Sequence, residues 1–183
     1  MACKLPYEKR ILRRSRPRFQ WFFRRIGGVS AARNVRIKLA YGHIVTFLDP
    51  DDRWLTDHLA VVTGLFARYP EAILCTTTPR FEIGGRQPVS DAKVVDALPS
   101  LFVENIVGCP SSVAVRREAL LSVNGFDERL RVMEGWDLWL RLACLGRYVL
   151  LQRRAIVYQT TRESLSKLPL AAVSICELLR RWP

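Results

Sequence analysis

Three carboxylates crowd the end of one short apolar run. His43-Ile44-Val45-Thr46-Phe47-Leu48 leads directly into Asp49, and Asp51 and Asp52 follow across Pro50. Acids this close repel one another unless a cation or helix N–H groups compensate them. Oxygen-only ligands suit Mg²⁺ or Mn²⁺, above all when a diphosphate supplies the remaining oxygens. A plainer reading stands beside it, in which Asp51 and Asp52 sit at the start of a helix beginning near Arg53 and meet its dipole. Other metal chemistry has little support. There are two histidines, His43 and His58, and five cysteines without a CxxC pair. Cys75, Cys144 and Cys176 lie in apolar runs and read as small buried side chains in a reducing compartment.

The elements that must position the aspartates follow from periodicity. Ser30 is placed to cap a helix whose apolar positions Ala32, Ile37, Leu39 and Ala40 lead to Gly42 as its stop. "HIVTFL" is a buried strand. Leu55, Leu59, Val62, Phe66 and Tyr69 then share one helical face up to Pro70, and "AILCTTT" is the next strand. Alternation with short links predicts a parallel α/β arrangement, with "HIVTFL" central and parallel to "AILCTTT". Carboxylates at the C-terminal edge of such a sheet stand where open α/β sheets bind ligands. Further on, Gly84-Gly85 predicts a hairpin turn and "DAKVVDAL" a short helix. "SSVAVR" is a strand and "REALLSV" a helix stopped at Asn124-Gly125. "WDLWLRLACLG" is a helix with Leu138, Leu142 and Leu145 inward. "YVLL" and "AIVYQ" are two strands, and 165–182 an amphipathic helix.

The 183 residues carry a formal net charge of +12, and 49% are hydrophobic. That is room for one domain with its own core. No run of 18 apolar residues marks a membrane span. Residues 1–28 hold nine Lys and Arg against the single acid Glu8, about +8 of the total. Residues 1–26 thus form a basic arm, 27–160 the domain, and 161–183 a helical tail. The arm, which mixes arginines with Phe19, Trp21, Phe22 and Phe23, has three readings. It is an arm for nucleic acid or anionic membrane, a strand and turn packed on the domain, or disordered, non-native lead sequence from a misplaced start or shifted frame.

"GGVSAARN…GHIVTFLDPDDRW", "SSVAVRREALLSVNGFDERL" and "EGWDLWLRLACLGRYVLL" together resemble family 2 glycosyltransferases of the GT-A fold, in that family's order and spacing. The resemblance implies transfer of a sugar from a nucleotide-diphosphate donor, with inversion, to a glycan or lipid-linked acceptor. It makes Asp49 and Asp51 the DxD-type pair, with Asp49 also on the substrate and Asp51 or Asp52 reaching Mg²⁺ or Mn²⁺. Arg33 and Asn34 fall on the donor side. The family's base is the aspartate of an E-D pair. Gly135 stands in its place here, so the base falls to Glu134, with Asp137 a weaker candidate that equally reads as an i,i+4 partner of Arg141. Trp136 and Trp139 wall the acceptor site or pack in the core. The family's opening strand, helix and strand, which hold the nucleobase and ribose, have no counterpart in residues 1–26. The expectation is therefore an incomplete GT-A-like, Rossmann-like mixed α/β sheet flanked by helices and carrying a basic arm. It would be a truncated product with slow or absent turnover and a free sheet edge prone to self-association.

The competing function class is a non-catalytic module using the arm on nucleic acid or anionic lipid. Because the charge excess sits in the arm and not on a folded face, no nucleic-acid partner is expected. The expected location is cytoplasmic, including peripheral attachment at the inner membrane face.

Overall fold

The computed structural model of the chain describes residues 27–81 and 91–158, together with Trp182. The segment read as a basic arm, the hairpin expected at Gly84-Gly85, Cys176 and nearly all of the expected tail lie outside the described residues.

Among the described residues, five α-helices and six strands alternate irregularly. Helix α1 is Val29–Leu39, α2 His58–Arg68, α3 Leu98–Leu101, α4 Arg117–Ser122 and α5 Glu134–Ala143. The strands are β1 (Ile44–Thr46), β2 (Arg53–Trp54), β3 (Leu74–Phe81), β4 (Lys93–Val95), β5 (Val113–Arg116) and β6 (Tyr148–Tyr158). They form one mixed sheet in the order β1-β5-β3-β6-β2, with β4 also on β6. Among the described residues only β3 and β6 pair in parallel. The mixed α/β sheet flanked by helices that the family resemblance implied is present, whereas the purely parallel arrangement read from the alternation alone is not.

"HIVTFL" is not central. β1 pairs with β5 alone among the described residues, antiparallel, with Val45 opposite Val115. β3 lies on the other side of β5, also antiparallel. β1 and β3 therefore run the same way, as expected, but do not touch as neighbours. The physical reason is β5 itself. Val113, Ala114 and Val115 are all fully buried, so this run needs cover on both faces and both edges.

Side-chain alternation along the central strands builds two cores. Leu74, Val113, Val115 and Tyr148 point to the face covered by α1, α3, α4 and α5, where Leu138, Trp139 and Leu142 are completely buried. Cys75, Ala114 and Val149 point to the other face, against Val62, Leu65 and Phe66 of α2. Burial pushes the Cys75 thiol up to about 12, which makes it a small core side chain. Cys144 is exposed, contrary to its apolar setting in the sequence.

Several local expectations are corrected. On α2 the buried stripe is His58, Val62, Leu65 and Phe66, while Leu55 and Leu59 are exposed. The stripe keeps the helical spacing but is turned about the axis. Leu145, past the end of α5, is exposed too. "DAKVVDAL" is no helix at its start. Val94 and Val95, β-branched, pair antiparallel with Val149 and Tyr148, and the helical turn begins only at Leu98 with Pro99 in its first turn. "YVLL" and "AIVYQ" belong to one strand, and the polar break between them coincides with register shifts against β3. Asn124-Gly125 ends α4 as expected, with φ of 60° and 66°.

Ala114 is small because both sheet and helix close on it. Ala114→Leu should overfill the α2 face and cost about 1–3 kcal/mol. A lower midpoint in urea unfolding at unchanged slope checks this.

Candidate active site

β1 runs out through Phe47 and Leu48 into the aspartate turn, which two groups of one neighbouring segment hold. The segment is a single turn of 3-10 helix, Pro110–Ser112, just before β5. The Asp49 backbone N–H donates to Ser111 Oγ at 3.0 Å, and the Trp54 indole N–H donates to the Ser111 carbonyl at 2.9 Å. Within the turn, the Asp52 N–H donates to the Asp49 carbonyl at 3.1 Å. No helix begins at Arg53; Arg53 and Trp54 form β2, paired with Val157 and Ile156. The capping role considered for Asp51 and Asp52 is therefore absent.

The three carboxylates have three different environments. Asp51 is exposed, and Asp52 is buried at 5% exposure. Asp49 faces Arg33, whose Nη2 lies 2.5 Å from its Oδ1. Among the described residues no three of His, Cys, Asp and Glu come together as an ion cage. The donor chemistry nevertheless fits Mg²⁺ or Mn²⁺. Such ions take one or two carboxylates and complete their shell with phosphate oxygens and water.

Arg33 makes a second bond. Its Nη1 donates to Glu134 Oε1 at 2.9 Å, so one guanidinium joins α1, the end of β1 and the first residue of α5. Side-chain exposures of 10% for Arg33, 24% for Asp49 and 17% for Glu134 place this triad at the edge of water. The guanidinium also lies over the Phe126 ring, 5.1 Å from its centre. Phe126 in turn meets Phe47 and Trp139 edge-on. Glu134 gains further from its place at a helix start, where the dipole favours an anion. The residue before it, Met133, holds the left-handed conformation at φ 63°.

Other sequence candidates are placed differently. Asn34 is buried and clamps the loop after α4. Its Nδ2 donates to the Phe126 carbonyl at 2.8 Å and to Glu128, and its Oδ1 accepts the Phe126 N–H. This clamp is why position 125 is glycine: a Cβ there would overlap Asn34 Oδ1, and φ is positive. Asp137 is buried and accepts from Arg141 Nε at 2.9 Å and Nη2 at 2.6 Å. Arg141 Nη1 then donates to the carbonyls of Val123 and Gly125. Of the two roles open to Asp137, this arrangement is the i,i+4 pair. Trp136 is half-buried and donates to the Leu101 carbonyl at 2.8 Å, while Trp139 is core. A cleft of about 540 Å³ beside Asn34, Asp127 and Arg141 is not lined by Arg33, Asp49 or Glu134.

The inner face of α1 also departs from expectation. Its buried residues are Ser30, Asn34 and the expected Ile37, with Ala40 partly buried against the core, whereas Leu39 is exposed. Ser30 does not cap the helix; Gly28 holds that position, and the Ser30 hydroxyl is buried with no partner among the described residues. Sequence reasoning missed Ser111 and His58 altogether. Serines before a strand carry no distinct signal, and His58 counts in the sequence only with His43, as too few histidines for a metal site. It is fully buried, stacked on Trp54 with ring centres 4.7 Å apart, and neither ring nitrogen has a described partner.

Comparison with known proteins bears on this arrangement. The sequence pattern of glycosyl transferase family 2 matches residues 7–122, well over half of the chain. The chain belongs to that family. The match begins inside the segment read as an arm, so residues 7–26 are covered by it, contrary to the reading that nothing there resembles the family. Glu134 and Asp137 lie beyond its end. No curated protein matches the chain in sequence. Solved structures of TarS from S. aureus share the fold. The complex of its residues 1-349 with UDP-GlcNAc gives a TM-score of 0.65 at 19% identity, covering 84% of this chain and 46% of that one. The complex with UDP gives 0.60 at 19% identity, covering 84% and 44%. The chain thus spans less than half the length of these structures. At such identities the likeness establishes the fold, a GT-A-like mixed sheet flanked by helices.

Burial holds the His58 imidazole below its ordinary value, against the opposing pull of Asp57. A depressed folded pKa means the unfolded chain takes up the proton first. Stability is then full above about pH 6.5 and falls as pH drops below it. Urea unfolding between pH 7.5 and 5.5 should show this loss, and His58→Phe should reduce it.

Proposed function

We propose that this protein transfers a sugar from a nucleotide-diphosphate donor to an acceptor hydroxyl, with inversion at the anomeric carbon. Family membership supports glycosyl transfer in general. The observation that carries the finer reading is the Arg33 bridge, which brings a donor-side carboxylate, Asp49, and a base candidate, Glu134, to one guanidinium. The TarS structures, with UDP and UDP-GlcNAc bound, favour a uridine donor.

In the proposed step the acceptor oxygen attacks the anomeric carbon from the face opposite the diphosphate. The acceptor C–O bond forms, the bond to the diphosphate oxygen breaks, and the leaving group departs with the electron pair. Glu134 takes the hydroxyl proton. Asp51, exposed at the turn, and Asp49 would hold Mg²⁺ or Mn²⁺. The ion, when bound, supplies positive charge to the leaving diphosphate. Arg33 lies on the donor side. Asp137 acts through Arg141 on the loop that seats Phe126 and is a positioning residue. A glycan or lipid-linked hydroxyl is the acceptor class in this reading.

Turnover is expected to be slow, because Gly135 replaces the family's aspartate and Glu134 must serve from one position earlier. Gly135 is buried, yet an added Cβ would meet nothing closer than 3.5 Å, at Trp139 Nε1. The backbone there does not require glycine. Release of UDP from UDP-sugars with Mn²⁺ and mixed acceptors is the measurement. Glu134→Gln should remove on the order of 10²–10⁴-fold of the rate, and Gly135→Asp should raise it above the parent. Turnover indifferent to both changes would reject Glu134 as the base.

A further inference from the structure

We propose that Arg33 couples the two halves of the site: the donor diphosphate and Glu134 compete for its guanidinium, so that filling the donor side releases the Glu134 carboxylate to the acceptor. This inference rests on the transfer reaction proposed above and adds to it an order of events.

Without ligand, the outward nitrogens of Arg33 are both engaged. Nη2 serves Asp49, 16 residues away in sequence, and Nη1 serves Glu134, 101 residues away. Two carboxylates and one guanidinium sum to a single negative charge. A diphosphate carries at least two more, so it approaches a site that repels it until positive charge turns toward it. Within the triad only Arg33 can do so. Guanidinium groups bind phosphate oxygens through two parallel N–H bonds, and a fork aimed at a diphosphate cannot keep both carboxylates. The Phe126 ring below the guanidinium covers its flat face and leaves its edge as the place where partners exchange. Glu134 is held toward Arg33 through Oε1; released, it can turn both carboxylate oxygens to the acceptor. Acceptor activation before the donor is in place is thereby suppressed, which also limits wasteful attack by water.

Competition is reciprocal: what weakens the Arg33–Glu134 pair strengthens diphosphate binding by the same factor. The test is calorimetric titration of the full chain with UDP, GDP and inorganic pyrophosphate, each with Mn²⁺. The proteins are the parent, Glu134→Gln, Arg33→Lys, Arg33→Gln and the double variant Arg33→Gln/Glu134→Gln. Glu134→Gln keeps the shape of the side chain and removes its charge. It should tighten diphosphate binding by about 5- to 150-fold. Arg33→Gln should weaken it, Arg33→Lys should recover part of the loss, and Glu134→Gln should have no effect once Arg33 is gone. Arg33→Lys keeps the comparison informative if Arg33→Gln does not fold. Tightening for pyrophosphate without any binding of UDP or GDP would retire the nucleotide-donor reading and leave the competition standing. Glu134→Gln binding none of the three ligands more tightly than the parent overturns the competition.

Discussion

One guanidinium ties the site together. Arg33 is mostly buried and sits between two partly buried carboxylates from distant parts of the chain, over an aromatic ring. Removing one member of such a group leaves the others without compensation in a poorly solvated place, which is far costlier than losing an exposed pair. The surrounding structure is arranged to keep the three together. Ser111 and Trp54 hold the turn that carries Asp49. Asn34, the next residue on α1, clamps the loop that carries Phe126. Arg141, held by Asp137, takes up the carbonyls of Val123 and Gly125 at the start of the same loop.

This arrangement explains why a basic chain gathers acids at one strand end. The carboxylates are not pooled into a cage. Each has its own surroundings: a guanidinium for Asp49, a buried pocket for Asp52 and open water for Asp51. Dispersal of this kind relieves the mutual repulsion of three neighbouring acids without a cation shared among them. The same logic accounts for the polar inner face of α1. A helix that only covered a core would turn apolar residues inward, but this one turns Ser30, Asn34 and Ile37 inward and sends Arg33 across the sheet end.

Much of the fold was legible from the sequence. Helix–strand alternation, the stop at Asn124-Gly125 and the strand nature of "AILCTTT" follow from local preference, and local preference survives packing. Strand order did not, because β5 takes the place between β1 and β3 through contacts distant in sequence. The Val94-Val95 error has the same origin: three residues at a sheet edge take their state from Tyr148–Leu150, not from themselves. Asp49 was picked out by its place in the acid cluster at a strand end, and Arg33 and Glu134 through family resemblance, but their joining in one bridge was not visible in any spacing. Ser111 and His58 were invisible for a different reason, since their roles depend on a backbone carbonyl and a stacked ring that leave no pattern in the text.

Gly135 bears most directly on chemistry. Glycine within a helix costs about 0.5–1 kcal/mol relative to alanine, and it persists where backbone conformation or close packing demands it. Neither demand is present, since its conformation is helical and the space around a Cβ there is ordinary. The fold therefore tolerates glycine at this position without needing it, unlike Gly125, where Asn34 leaves no alternative. A side chain at 135 would leave the α5 start at a different angle from that of Glu134, which is already directed to Arg33. The two positions are thus unequal in electrostatic setting. Glu134 is compensated by a guanidinium before any substrate arrives, whereas an acid at 135 would stand beside Trp139 and Pro110. The bridge from Arg33 thus reaches Glu134 and leaves position 135 free of any electrostatic role in holding the site together.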